Sequence, residues 1–282
     1  MVMAIWGVNF SVAKIGLEYV PPMMLTGSRF AVVAALLLPF VGRPQGKWGH
    51  ILALSLVMGS LHFGFMFHGL RGIGAGVASI AVQLQVPFAA VLAAFVFRDY
   101  LGWRRLLGMS TAVVGVVILA GEPRFGGDLW PLMLIIAASL MWAAGNVIIK
   151  TMGPIDGFQL NAWLSLLTAP QLIIASLILE PGSLEMLTGA SWKAYGAIFY
   201  MAVMVTIIGY GCWYFLIPRY DVNQTMPFTL LVPLFGVLSG ILMLDETLTW
   251  RIVIGGIAIV AGVAVIIVRR PRLIAPAAQA EQ

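Results

Sequence analysis

Charge is scarce in this sequence. Of its 282 residues only 10% are charged and 61% are hydrophobic, against roughly 25% charged in a soluble domain. So few charges cannot clothe a soluble core of this size. Those present cluster between long apolar runs, as a bilayer solvent requires. Cys212 is the lone cysteine, which excludes an intramolecular disulfide and a cysteine-based zinc site. No G-x-x-x-x-G-K-[ST] loop is present to cradle the phosphates of a primary active transporter. H-E-x-x-H and G-x-S-x-G are missing as well, and His62 and His68 do not share a helix face as i, i+4 metal ligands would. An intramembrane enzyme is the alternative from another class, and it lacks its residues. The expectation is no enzyme, no cofactor and no metal.

Acids are missing from one place in particular. All eleven lie in loops, at helix ends or in the tail: Glu18, Asp99, Glu122, Asp128, Asp156, Glu180, Glu185, Asp221, Asp245, Glu246 and Glu281. None is expected near the bilayer centre, where proton-coupled carriers keep a carboxylate relay. His62 is then the one mid-membrane group able to titrate near neutral pH, or else a hydrogen-bonded packing residue.

What is present is a series of apolar segments of spanning length, about 20 residues each. Ten are predicted: 1–17, 24–41, 48–70, 75–97, 103–120, 129–152, 158–179, 192–217, 225–244 and 250–268. The first lacks a basic leader and a small-residue cleavage site, so it reads as a span rather than a signal peptide. It starts so abruptly that a few residues are expected to precede it. Gly and Pro punctuate the short connections, and residues 269–282 read as a disordered cytoplasmic tail, rich in Ala, Gln and Pro.

With the N-terminus inside, Arg43, Lys47, Arg98, Arg104, Arg105, Lys150, Arg219, Arg269, Arg270 and Arg272 face the cytoplasm. Only Lys14, Arg71, Arg124, Lys193 and Arg251 fall outside, so both termini are expected to be cytoplasmic in a bacterial inner membrane. Trp48, Trp103, Trp130, Trp192 and Trp250 each open a predicted helix, as interfacial anchors do. The net charge of +5 lies in scattered loops rather than one patch. The expected partners are therefore a lipid bilayer and a small-molecule substrate, with no nucleic acid, in a monomer or weak homodimer.

The two halves echo each other. Pro87 pairs with Pro233, and one inserted residue later Trp103, Arg104, Gly108 and Gly115 pair with Trp250, Arg251, Gly255 and Gly262. The loop acids Asp99 and Glu246 correspond, and Trp6 and Lys14 share the spacing of Trp142 and Lys150. Five helices per half, an odd number, give the halves opposite orientation. The fold expected is therefore an all-α polytopic membrane protein of ten transmembrane helices in two inverted five-helix repeats, residues 1–120 and 129–268. Inverted repeats are a carrier architecture with a site near the midplane.

The segment WGVNFSVAKIGLEYVPP at 6–22 with Ser28–Phe30, and VPFAAVLAAFVFRDYLGWRRLLG at 86–108 with its counterpart near Pro233, resemble the drug/metabolite transporter superfamily and its duplicated EamA domain. The resemblance covers nearly the whole chain. It departs at Arg98-Asp99-Tyr100, where such domains usually carry Glu before Leu. It implies a ten-helix exporter of amino acids or related metabolites, working by alternating access. Broad drug or metabolite efflux comes second, and phosphate-ester exchange third for want of cationic residues.

The expected cavity is aromatic, amide-rich and nearly uncharged, suited to neutral or zwitterionic solutes. Trp6 and Asn9, with their approximate mates Trp142 and Asn146, form the leading set; His62, Gln83 and Gln85 join them. Tyr200, Thr206, Tyr210 and Thr229 offer hydroxyls, and Trp163 and Trp213 are walls or anchors. Pro87 and Pro233 are expected hinges. Lys14 and Arg29 are expected to snorkel to the headgroups, or to serve the outer vestibule and the turn after Pro22. The glycines at 69, 72, 74 and 76, and the Gly236/Gly240 pair, are read as turn and packing residues.

Overall fold

Apolar segments with internally bonded backbone fold as helices, and the computed structural model has no strand among the described residues, which are all but 45, 99–101, 123–127, 154, 217–225 and 268–282. Eight helices are long and apolar enough to cross a membrane: α2 (Pro22–Phe40), α3 (Trp48–Gly72), α4 (Ala75–Phe97), α5 (Trp103–Ala120), α6 (Trp130–Met152), α7 (Gly157–Leu179), α8 (Trp192–Trp213) and α10 (Trp250–Ile267). Two shorter apolar helices, α1 (Val2–Leu17) and α9 (Phe228–Leu244), complete the set. A small surface helix, Ser183–Thr188, occupies the connection between α7 and α8. The loop acids Asp99 and Asp221 and the tail lie outside the described residues.

Helix ends follow local chemistry. Pro22, expected in the turn, instead opens α2 at the position where its missing N–H costs nothing. Asp156 caps α7 by accepting from the Gln159 N–H at 2.8 Å. α4 and α9 end alike, on the left-handed residues Arg98 (φ 55°) and Asp245 (φ 52°). The helices that carry Pro87 and Pro233 each have a tighter 3₁₀ turn ahead of that proline, Val82–Leu84 and Met226–Leu230. A proline has no N–H to offer the carbonyl four residues back, which here belongs to Gln83 or Thr229. α3 and α8 each contain a wider π-helical stretch, Ser55–Leu61 and Tyr200–Tyr210.

Contacts run across the halves. α5 packs on α10, α2 on α7, α1 on α9 and α8, and α6 on α3 and α4. The α5–α10 pair is antiparallel and close: a Cβ on Gly115 would lie 2.6 Å from the Gly255 carbonyl, and one on Gly262 2.4 Å from the Gly108 carbonyl. Without a hydrophobic drive between helices in lipid, such backbone approach supplies the packing energy. Gly69 and Gly72 let Pro131 of α6 approach and Gly236 admits Ser79, as packing sites do, whereas Gly74, Gly76 and Gly240 make room for the Glu246 carboxylate. Outward faces carry exposed Phe95, Val117, Ile178, Leu242 and Ile257, and the five helix-opening tryptophans are exposed as well.

Gly115→Val should destabilise the detergent-solubilised protein by about 1–3 kcal/mol through overpacking, read as a lowered Tm. Gly262→Val should match it. Gly49→Val, where a Cβ meets nothing within 4 Å, should leave Tm unchanged. Equal Tm values for all three would contradict the close α5–α10 approach.

Candidate functional site

The elements that break regular helix converge on the interior. Two adjoining cavities of about 150 and 260 Å³ lie there, sharing a partition of Arg29, Phe63, Trp142 and Tyr210. Trp6, Asn9, His62, Gln83, Gln85 and Thr229 line the first. Asn146, Asn161, Thr206 and Trp213 line the second. Gln83 and Thr229, each four residues before one of the two prolines, thus border one cavity.

Aromatic packing shapes the walls. Trp6 lies 5.2 Å from Tyr210 and 5.6 Å from Trp213, ring centre to ring centre, and its indole N–H donates to the Val205 carbonyl at 3.4 Å. Trp142 stacks on the same Tyr210 ring at 6.5 Å and sits 4.9 Å from His62. His62 is buried, with Nδ1 2.8 Å from the Ala138 carbonyl. It is a hydrogen-bonded packing residue and a wall of the cavity at once. Asn146 donates to the Trp142 carbonyl of its own helix at 3.0 Å. Asn9 presents a buried Oδ1 that has no hydrogen-bond partner.

Arg29 departs from expectation. It is 1% exposed and neither snorkels nor pins the turn after Pro22. Its Nε and Nη2 donate to the Thr206 hydroxyl oxygen at 3.2 and 2.8 Å. Its guanidinium carbon lies 4.8 Å from the Phe63 ring centre and 5.1 Å from that of Phe30, a cation–π setting that offsets part of the lost hydration. Thr206 in turn donates to the Met201 carbonyl at 3.0 Å, five residues back in the π-helical stretch. Arg29 Nη1 has no partner. The sequence did carry a signal for it, since an arginine seven residues into an apolar helix is a site hypothesis by default. Phe63 and Asn161 carried none beyond composition.

Two expected site residues stand elsewhere. Trp163 donates from its indole to the Gly42 carbonyl at 2.8 Å and meets Trp48 edge-on at 5.0 Å, so it is an anchor near a helix end. The Tyr200 hydroxyl donates to the Ile5 carbonyl at 3.1 Å and borders neither cavity. Another cavity, of about 920 Å³, lies between the start of α1 and helices α7, α8 and α9; its walls are apolar, and it lacks the converging polar groups of the central pair.

At the end of the bundle that holds the C-terminus of α1, carboxylates tie helices together. Glu246 accepts from the Ala75 and Gly76 N–H groups at 2.5 and 3.0 Å, capping α4 from the far end of α9. Lys14 donates to the nearby Ile73 carbonyl rather than reaching to headgroups. Glu180 caps α2, accepting from the Met23 and Met24 N–H groups at 3.0 and 3.3 Å. It also takes the Ser176 hydroxyl at 2.5 Å and faces His68 Nε2 at 3.3 Å. Burial alone would raise the Glu180 carboxyl, but hydrogen bonds from His68, Ser176 and the Met23 N–H outweigh it and hold it below the usual carboxylate range.

An all-helical, lipid-faced bundle with a polar cavity inside it is built as a membrane carrier. The chain belongs to the EamA-like transporter family, which matches residues 1–121 and again residues 129–268. It is 35% identical over 272 residues to the "Probable amino-acid metabolite efflux pump" of Escherichia coli (strain K12), spanning 93% of this chain and 91% of that relative. The protein of the same description from Salmonella typhimurium is 34% identical, with the same coverage. A solved crystal structure matches 94% of each chain with a TM-score of 0.66 at 19% identity, a likeness of fold. The chain is thus a multi-pass membrane transporter and not an enzyme.

Because the Glu180 carboxyl is held low in the folded protein, its contribution to stability is present at neutral pH. That contribution fades as pH falls below about 4.3, the ordinary glutamate value. Glu180→Gln should lower stability at pH 7 by about 1–3 kcal/mol, and the gap to wild type should close under acid. A gap that widened as pH fell would contradict the assignment. Thermal unfolding in detergent across pH 3.5–7 reads it.

Proposed function

We propose that this protein exports small zwitterionic solutes, amino acids first among them, from the bacterial cytoplasm across the inner membrane by alternating access around the paired central cavities. The observation that carries the reading is the cavity itself: aromatic walls, amides and buried unpartnered polar atoms at the junction of the two family-matched halves. The printed names of the Escherichia coli and Salmonella relatives agree with it.

All ten helices span in this reading, as two inverted sets of five with both termini cytoplasmic. Several features support the inversion. Gly108 meets Gly262 while its repeat mate Gly255 meets Gly115, an exchange that a two-fold axis produces between antiparallel helices. Pro87 and Pro233 follow matching 3₁₀ turns, and α4 and α9 end on matching left-handed residues. The stretch Ser55–Leu61, moved by the Pro87-to-Pro233 offset, falls within Tyr200–Tyr210.

The end holding Glu246, Lys14, Glu180 and His68 would be the outer one, where the two carboxylates bond to helices remote in sequence. Opening it requires α4 and α9 to part and the Glu246 cap to break. Pro87 and Pro233 would be the hinges, since the weakened backbone before each absorbs bending at little cost. All described acids lie at helix ends or in connections, so no carboxylate relay crosses the cavity and transport runs down the solute gradient.

Proteoliposomes loaded with a panel of radiolabelled amino acids test the reading, with and without a pH gradient. Downhill amino-acid efflux independent of the pH gradient is expected, slowed several-fold in Pro87→Ala and Pro233→Ala. Flux of large apolar drugs without amino acids would favour broad efflux. Uptake driven by a pH gradient and abolished in His62→Ala would overturn the uncoupled mechanism, and unchanged rates in both proline variants would end the hinge idea.

A further inference from the structure

We infer that Arg29 is the carboxylate-binding residue of the central cavity, so that the site selects solutes bearing a free carboxylate group. The inference rests on the reading of the cavity as the transport site, and it names the anchor that reading leaves open.

A guanidinium is never deprotonated at ordinary pH, and burying it without a counter-charge is expensive. Arg29 is 1% exposed, and the His68–Glu180 ion pair lies at a helix end rather than in the cavity. What surrounds Arg29 carries no carboxylate: a threonine hydroxyl, two phenylalanine faces, and the Tyr210 and His62 side chains of the same cavity wall. Thr206 Oγ1 already accepts from Nε and Nη2 and donates to Met201, so it has nothing left for Nη1. That nitrogen is buried and unpartnered in a side chain that borders both cavities. Leaving it open makes sense where an anion arrives with the ligand and leaves with it.

A carboxylate fits better than a phosphate. One cation and neutral walls balance a single negative charge, whereas a phosphate dianion would leave charge uncompensated in a cavity lined by one cation. The second orphan atom agrees. Asn9 Oδ1, an acceptor buried in the wall of the first cavity, is complementary to an ammonium group. Together the two orphan atoms read the two ends of an amino acid, with the aromatic walls left for its side chain. Transport remains possible because neither partner is a permanent ion pair that must be broken by a competing protein charge.

The test uses binding and flux in parallel on the full chain. Binding is read as the Tm shift of detergent-solubilised protein with millimolar phenylalanine, phenylacetate, phenylalaninamide and phenyl phosphate. Flux is read in proteoliposomes with phenylalanine, leucine and their amides. Phenylalanine and phenylacetate should raise Tm while the amide does not, and the free acids should move at least tenfold faster than their amides. Arg29→Gln should drive the acid-to-amide flux ratio toward one, and Arg29→Lys should recover part of it. Asn9→Leu should weaken phenylalanine binding more than phenylacetate binding.

Equal Tm shifts by acid and amide, no shift by either carboxylate, or a larger shift by phenyl phosphate would overturn the inference, and none of these needs a variant that folds. Equal flux of acids and amides would overturn it too, while leaving the export of amino-acid-like solutes intact. Carboxylate-selective stabilisation with no amino-acid flux would overturn the export reading and uphold the carboxylate site.

Discussion

A guanidinium held inside an apolar helical bundle without a carboxylate beside it constrains everything around it. Arg29 can stay there only because Thr206 takes two of its N–H groups and Phe30 and Phe63 lend their ring faces. Thr206 in turn reaches it from the π-helical stretch of α8, whose wider turn also gives the hydroxyl a carbonyl five residues back. Trp142 and Tyr210 complete the partition between the two cavities. The positions of α2, α3, α6 and α8 are therefore linked through one buried charge.

The bundle that carries this charge is held by features of two kinds. Backbone approach at glycine does the work along the helices, most closely between α5 and α10. Carboxylates do it at one end, where Glu246 and Glu180 each sit on the N-terminus of a helix remote in sequence. The first kind is stiff and apolar. The second is polar and breakable, and it lies at the end that the proposed alternating-access cycle would open.

Much of the fold was legible because it is written locally. The ends of α4, α5 and α7 fall within a residue of the apolar runs, since hydropathy and Gly or Pro punctuation act over a few residues. The helix-opening tryptophans and the proline breaks were readable for the same reason. Trp6, Asn9, Trp142, Asn146, Gln83 and Tyr210 reach the cavity walls as polar or aromatic residues at mid-helix would. Arg29 was misread because distance along the helix suggested a reach to headgroups, whereas the direction of its side chain depends on packing against α8. Lys14 was misread likewise, its ammonium being taken by the Ile73 carbonyl. Trp163, a wall or an anchor on sequence alone, borders neither central cavity, and its indole is claimed by Gly42 across a connection. The Glu246 and Glu180 caps join residues far apart in the chain, and no local pattern announces them.

The central claim is that a solute carboxylate completes the coordination of Arg29. A structure of the full-length protein determined by cryo-electron microscopy with bound phenylalanine tests it most directly. The account predicts a carboxylate oxygen about 3 Å from Arg29 Nη1, with the ring of the ligand against Trp142 or Tyr210. A phenylalanine seated in the apolar cavity between α7, α8 and α9, or with its carboxylate turned away from Arg29, would contradict it.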